Sequence, residues 1–298
     1  MKIQSLSILV PAPCPNKCPF CVSRMNTNKQ LNLLPDKTIK EFLQRGGFSE
    51  DSYIRAWVDR LEYASKLDIN SVMLTSTGEA MLNLDFIKFF AKINRRMLNP
   101  FRFIELQTSG VNLDIDSVNC LIRSGVKTIS ISLSSLDSKI NYECNNPNNS
   151  RYFVDIEKVS KLIKSSHLNL RFSLNMTKHF EEYSYDRIFS ILNDLNVDQV
   201  IFRKLYTSGD DELPQNRWIK ENRASSEYMD GLKEYIKKNG KIIDKNFLNV
   251  PRYSIQNIST ILDEDCMSQE IADNYRYLII KEDCHIYTKW QEPASLLF

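Results

Sequence analysis

Apolar residues recur at i, i+3, i+4 and i+7 in five stretches of this chain, the pattern of helices with one buried face. Ile54, Trp57, Val58, Leu61 and Ala64 predict a helix over 53–68, and Phe86, Ile87, Phe90, Ile93 and Met97 predict one over 84–98. A third starts near Asp114 or Asp116, both good caps, and stops at Gly125; a fourth runs over 155–165 and a fifth over 185–195. Short apolar runs between them predict strands near 5–10, 71–76, 102–108, 126–133, 168–175 and 199–205. Strand–helix–strand repetition implies right-handed crossovers and a parallel sheet. Six such strands with helices outside make an α/β fold of open or partial barrel form. From about residue 224 the pattern changes to one helix and a few strands, around 252–255, 275–280 and 285–287. The expected organisation is a core over 1–205 and an extension over 206–298 that supplies a lid loop and closes the barrel.

The strands alternate rather than running continuously apolar, as fully buried parallel strands do. Ile104 and Leu106 take one face while Glu105, Gln107 and Ser109 take the other. Ile129, Ile131 and Leu133 oppose Ser130, Ser132 and Ser134; Leu168, Leu170, Phe172 and Leu174 oppose Asn169, Arg171, Ser173 and Asn175. With helices over the apolar face, the polar rows point into the barrel. A packed barrel interior holds branched apolar side chains, so a polar one predicts a wet cavity for a polar ligand. The other reading of the alternation, an antiparallel sheet with one solvated face, sits poorly with the intervening helices.

The loop after the first strand carries the chemistry: Cys14-Pro15-Asn16-Lys17-Cys18-Pro19-Phe20-Cys21, three cysteines at Cys-x3-Cys-x2-Cys spacing. A structural zinc site usually takes four protein ligands. Three thiolates suit a four-iron, four-sulfur cluster with one iron left open for another ligand, since clusters that only carry electrons usually have four cysteines. A zinc knuckle with a distant fourth ligand stays open on spacing alone.

This motif, with an aromatic before its third cysteine, resembles the signature of radical S-adenosylmethionine (SAM) enzymes. The resemblance implies a six-strand partial (β/α)6 TIM-like barrel over about 1–205. It implies a 4Fe-4S cluster on Cys14, Cys18 and Cys21 whose open iron chelates SAM. Reductive cleavage of SAM would then give a 5′-deoxyadenosyl radical that abstracts hydrogen from a substrate. The second strand ends in Thr77-Gly78-Glu79, similar to the family's Gly-Gly-Glu motif that holds the SAM amino group, with Thr77 in place of the first glycine. Matching positions at later strand ends are Ser109, Ser132, Ser134, Asn175 and Arg203, which by resemblance hold ribose, methionine carboxylate and adenine; Phe20 would offer its backbone to adenine. Arg171 and Arg203 both read as inward-facing. For each, a structural ion pair, with Glu105 as candidate partner, and contact with the SAM carboxylate or a substrate anion both stay open.

The formal net charge of +2 over 298 residues, with only short basic pairs such as Arg95-Arg96 and Lys237-Lys238, gives no nucleic-acid stripe. No run approaches the ~18 apolar residues of a membrane span. Seven cysteines without a secretory signal predict a reducing, cytoplasmic compartment. Cys120 reads as a small core residue. Cys144, Cys266 and Cys284 are scattered, although a second cluster built from them stays open. His167, His179 and His285 read as structural. The polar segments 135–150 and 206–223 read as access loops at the active face, and 22–52 as a long segment beside the cluster, with Arg24 near it. The expected partners are a small polar substrate and an external one-electron reductant of flavodoxin or ferredoxin type. A glycyl-radical activase or a peptide-modifying enzyme is the alternative within the family. Outside it, the alternatives are a non-catalytic iron–sulfur redox or sensor protein and a zinc-binding module.

Overall fold

A computed structural model describes residues 2–25, 50–245, 249–264, 270–271, 274–290 and 295–297. The segment 26–49 and Cys266 lie outside the described residues. Six strands, β1 (Lys2–Leu9), β2 (Ser71–Thr75), β3 (Phe103–Thr108), β4 (Val126–Leu133), β5 (Asn169–Asn175) and β6 (Gln199–Arg203), pair in parallel in sequence order. A short helix α1 (Val22–Met25) follows the cysteine loop. The crossovers are α2 (Glu50–Lys66), α3 (Leu84–Asn94), α4 (Ile115–Arg123), α5 (Ser138–Asn145) with α6 (Ile156–Ser165), and α7 (Tyr185–Asp194). The six strands and α2, α3, α4, α6 and α7 are the expected ones, within a few residues at their ends, whereas α1 and α5 carry no expectation.

The helices form where the apolar stripe and the caps agree. Asp114 and Ser117 make a reciprocal capping box at α4, and Asp155 and Ser184 cap α6 and α7 through Lys158 and Arg187. Gly125 ends the turn after α4 at φ +86°, in the left-handed region where a side chain is strained. The stripes pack on the outer face of the sheet: Trp57 is fully buried, with its ring 5.4 Å from Phe86 and close to edge-on. Burying one such side chain contributes about 1.5–3 kcal/mol. Along β5, Leu170, Phe172 and Leu174 are fully buried under the helices, which leaves Arg171, Ser173 and Asn175 for the inner face. Parallel register then sets polar residues side by side, Ser130 with Arg171, Ser132 with Ser173 and Asn175 with Arg203.

The extension holds the expected strands near 252–255, 275–280 and 285–287, and further elements besides. After α8 (Pro214–Asn222) and α9 (Ser226–Asn239) come β7 (Lys241–Lys245), β8 (Pro251–Ile255), β9 (Ile258–Asp263), β10 (Glu270–Ile271), β11 (Asn274–Ile280) and β12 (Ile286–Tyr287). Strand β9 adds in parallel to β6, and β11 adds in parallel to β1, so eight parallel strands run in a row. Strand β8 pairs with β9 from the far side, while β10 and β12 pair with β11. Among the described residues no ladder joins β9 to β11, and the barrel is not closed by strand pairing. A buried ion pair spans that seam instead, Arg276 Nη2 to Asp263 Oδ2 at 3.0 Å.

The two expected access loops contain helices. In 135–150, Asp137 caps α5 by accepting from Lys139 and Ile140, and Asn146 ends it at φ 43°. In 206–223, Pro214 starts α8. Both helices are polar and short, so no apolar period marks them.

Candidate active site

The cysteine loop lies at the carboxyl end of β1, where ligands of parallel α/β folds bind. It is rich in proline (Pro11, Pro13, Pro15 and Pro19), which fixes φ and removes donors, so its carbonyls look elsewhere for partners. The segment after β2 supplies them. Ser76 Oγ donates to Val10 O at 2.7 Å, Asn83 Nδ2 to Pro11 O at 2.6 Å, and Glu79 N to Pro13 O at 3.1 Å. Gly78 is required by the same contact, since a Cβ there would stand 2.0 Å from Ala12 O. From the other side the end of α5 braces the loop. Lys17 N donates to Asn145 O at 2.9 Å, Asn148 N donates to Pro15 O at 2.9 Å, and Cys18 Sγ lies 3.5 Å from Asn145 Oδ1. Arg24 Nη2 donates to Asn16 O at 2.8 Å.

Cys14 is exposed and Cys18 and Cys21 are half-buried. Although Cys14 is solvent-accessible as a residue, the protein packed around its sulfur desolvates the thiol and pushes it up to about 11, with the Glu79 and Cys21 charges adding to it; burial and then the charges of Cys21 and Cys14 push Cys18 up further. The three sulfurs therefore share one electrostatic neighbourhood. Among the described residues no three His, Cys, Asp or Glu side chains converge on the position of a single metal ion. A cluster in which each thiolate binds its own iron does not require such convergence.

Glu79 is buried, and its four acceptor sites are all used. Oε1 accepts from Thr108 Oγ1 at 2.6 Å and Met81 N at 3.1 Å; Oε2 accepts from Ser109 N at 2.8 Å and Ser109 Oγ at 2.6 Å. Ser109 thus serves Glu79. Ser132 and Asn175 are half-buried on the inner face. Ser134 N is held by Asn141 Oδ1 at 2.9 Å, while Ser134 Oγ has no partner among the described residues; nor do Ser7 Oγ, Ser173 Oγ and Arg203 Nε. Arg171 is paired: it donates to Glu105 Oε2 and, at 2.8 Å from Nε, to Gln199 Oε1. The expected Glu105 ion pair therefore belongs to Arg171 and not to Arg203.

Three features carry no local sequence signal. Trp218 of α8 lies 5.4 Å ring to ring from Phe20, in a small apolar cluster with Met25, Leu205 and Ile219, so α8 is docked on the cysteine loop. Glu282, just beyond β11, is buried beside the Thr77 hydroxyl, and burial holds its carboxyl up at about 7. Asn145 is the third: it sits in an Asn-rich stretch that reads as solvent loop.

The family model for the radical SAM superfamily matches residues 10–183, more than half of the chain. The chain belongs to the radical SAM superfamily. No curated protein matches the sequence. Among solved structures, native anSMEcpe with bound AdoMet and Cp18Cys peptide is similar at 14% identity and TM-score 0.59, over 98% of this chain and 75% of that one. SuiB of Streptococcus suis bound to S-adenosylmethionine is similar at 15% identity and TM-score 0.56, over 96% and 60%. SuiB bound to precursor peptide SuiA is similar at 16% and 0.55, over 96% and 59%. At these identities the likeness speaks to the fold.

Radical SAM membership brings the superfamily's cofactors, a 4Fe-4S cluster and S-adenosylmethionine. The residues present fit them chemically. Three soft thiolates stand in one braced loop, and the hydroxyls of Ser7, Ser134 and Ser173 and the Nε of Arg203 have no partner among the described residues. Among the described residues no helix is long and apolar enough to cross a membrane.

Proposed function

We propose that this radical SAM enzyme holds its cluster on Cys14, Cys18 and Cys21 and acts on a small polar group admitted into the barrel. The observation that carries the reading is the cysteine loop fixed by backbone hydrogen bonds, together with the polar atoms of Ser7, Ser134, Ser173 and Arg203 that have no partner among the described residues. When bound, the cofactor pair supplies one electron and a 5′-deoxyadenosyl radical that takes a hydrogen atom from the substrate. The chain's part is to bind, orient and shield. Glu79 presents its carboxylate to the SAM ammonium, which takes the place of one of its four present donors, and Thr77 and Gly78 hold the turn that aims it. Ser109, Ser132, Ser134 and Asn175 offer hydroxyl and amide groups to the ribose and methionine ends, and the backbone at Phe20 serves the adenine. Docked helix α8 keeps water from the loop side of the cluster. The reductant is an external one-electron carrier of flavodoxin or ferredoxin type. Thiolate ligation, together with the free buried thiols Cys120, Cys144 and Cys284, suits the cytoplasm.

A second reading, in which a peptide carries the reacting group, is favoured by the peptide complexes among the fold neighbours. Incubating the anaerobically reconstituted protein with SAM and dithionite tests the proposal. It predicts 5′-deoxyadenosine, with deuterium incorporated from a labelled substrate. Absence of SAM cleavage in protein that carries a full cluster contradicts it.

A further inference from the structure

A cavity of about 120 Å³ lies within the barrel, between the inner faces of β3, β5 and β6 and the seam where β9 approaches β11. None of Cys14, Glu79, Ser109, Ser134 or Asn175 lines it. It meets the residues assigned to the cofactors at Arg203, the ladder partner of Asn175. At about 10–15 Å³ per water-sized probe, it has room for a side-chain-sized polar group.

Its charges do not balance. Four arginines line it, Arg171, Arg203, Arg252 and Arg276. Three carboxylates answer them: Glu105 pairs with Arg171, Asp244 with Arg252 and Asp263 with Arg276. One positive charge, on Arg203, has no ion pair among the described residues, and its buried Nε has no hydrogen-bond partner. Arg203 is half-buried, its ladder partner Asp263 is committed to Arg276, and a buried guanidinium nitrogen without a partner is costly. It persists where something outside the chain supplies the anion. The surplus is a single charge, and the lining already holds the Asp263 carboxylate. A monoanion is matched there, whereas a phosphate dianion would be over-compensated and would face Asp263. The guanidinium fork also fits the two oxygens of a carboxylate.

We infer that Arg203 anchors a carboxylate of the substrate in this cavity. The inference rests on the proposed function for the word substrate, and its site stands on the cavity and the charge count. Arg203 is the last residue of β6, so it marks the carboxyl-end side of the cavity. The carboxylate comes either from a small acid or from an acidic side chain of a peptide. Arg203 is then a binding residue for substrate rather than for the SAM carboxylate.

The test is calorimetry on the reconstituted, SAM-loaded protein and its Arg203→Met variant. The probes are propionate, N-acetyl-aspartyl-N-methylamide, their uncharged amides, and inorganic phosphate. The expected result is saturable binding of at least one carboxylate probe to the wild type, weakened about ten- to hundredfold in Arg203→Met. The amides and phosphate should give no saturable heat, and SAM affinity should be the same in both proteins. The tighter carboxylate probe identifies the source. Should Arg203→Met fail to fold, a carboxylate probe must still slow phenylglyoxal modification of Arg203 in the wild type, mapped by peptide mass. The inference is overturned if the substitution weakens SAM binding while leaving the probes unaffected, if phosphate is preferred, or if no probe binds or protects. None of these readings needs SAM cleavage, so failure of turnover and failure of this site are separable.

Discussion

Arg171 and Arg203 read alike in the sequence, each an inward-facing arginine on a parallel strand of one barrel, yet the protein treats them differently. Arg171 lines the same cavity as Arg203 but is paired by its own chain, with Glu105 on one side and Gln199 on the other. Arg203, on the neighbouring strand, ends at that cavity with its Nε unanswered. The first arrangement ties β3, β5 and β6 together. The second leaves interaction energy for a ligand. Buried charge in this molecule is thus of two kinds, and substitutions separate them.

The largest expected difference is in stability. Arg171→Met strands the Glu105 carboxylate and should cost about 3 kcal/mol, the lower end for a broken buried pair because both side chains keep some exposure. Adding Glu105→Gln should recover most of the loss, and Arg203→Met alone should show no comparable loss in urea unfolding. Equal losses from the two arginines would erase the distinction.

Glu79 sharpens the comparison from the acidic side, since among the described residues its carboxylate is answered by four neutral donors and no cation. Glu79→Ala should weaken SAM binding about ten- to hundredfold, the worth of one charged hydrogen bond, with iron content unchanged. Unchanged SAM affinity would mean that Glu79 only ties the β2 and β3 ends together.

The smallest effect is the pH dependence at Glu282. Its carboxyl is raised from 4.5 to about 7, mainly by burial, with Asp283 raising it further and Lys281 and the Thr77 hydroxyl opposing. The unfolded chain releases this proton first as pH rises. Stability should therefore fall between pH 4.5 and 7, by about 1–3 kcal/mol. In Glu282→Gln that slope should vanish from thermal melts. A wild type whose stability rises across this window faster than the variant's would contradict the assignment.

Much of this was legible in the residues. The alternation of Ser130, Ser132 and Ser134 with Ile129, Ile131 and Leu133 predicts a polar lumen because β geometry fixes which face each side chain takes. The cysteine spacing and the Gly78-Glu79 turn after β2 mark the site end. Gly78 is also necessary for the approach of Ala12. What was not legible depends on contacts between distant segments. Helix α8 shows no apolar period, and only the Phe20–Trp218 contact explains why it docks. Strand β9 is short and follows closely on β8, and its parallel place beside β6 is set by the whole sheet. Glu282 and Thr77 meet from opposite ends of the chain, and Glu105 lies on strands equally open to either arginine until the register is known.

The central claim is that the three thiolates of the Cys14–Cys21 loop hold the cluster without a fourth cysteine. Iron and acid-labile sulfide in anaerobically reconstituted wild type, Cys18→Ala and Cys120→Ala test it most directly. The account predicts about four irons per chain in wild type and in Cys120→Ala, and loss of the cluster in Cys18→Ala. A full four-iron cluster retained by Cys18→Ala would contradict it.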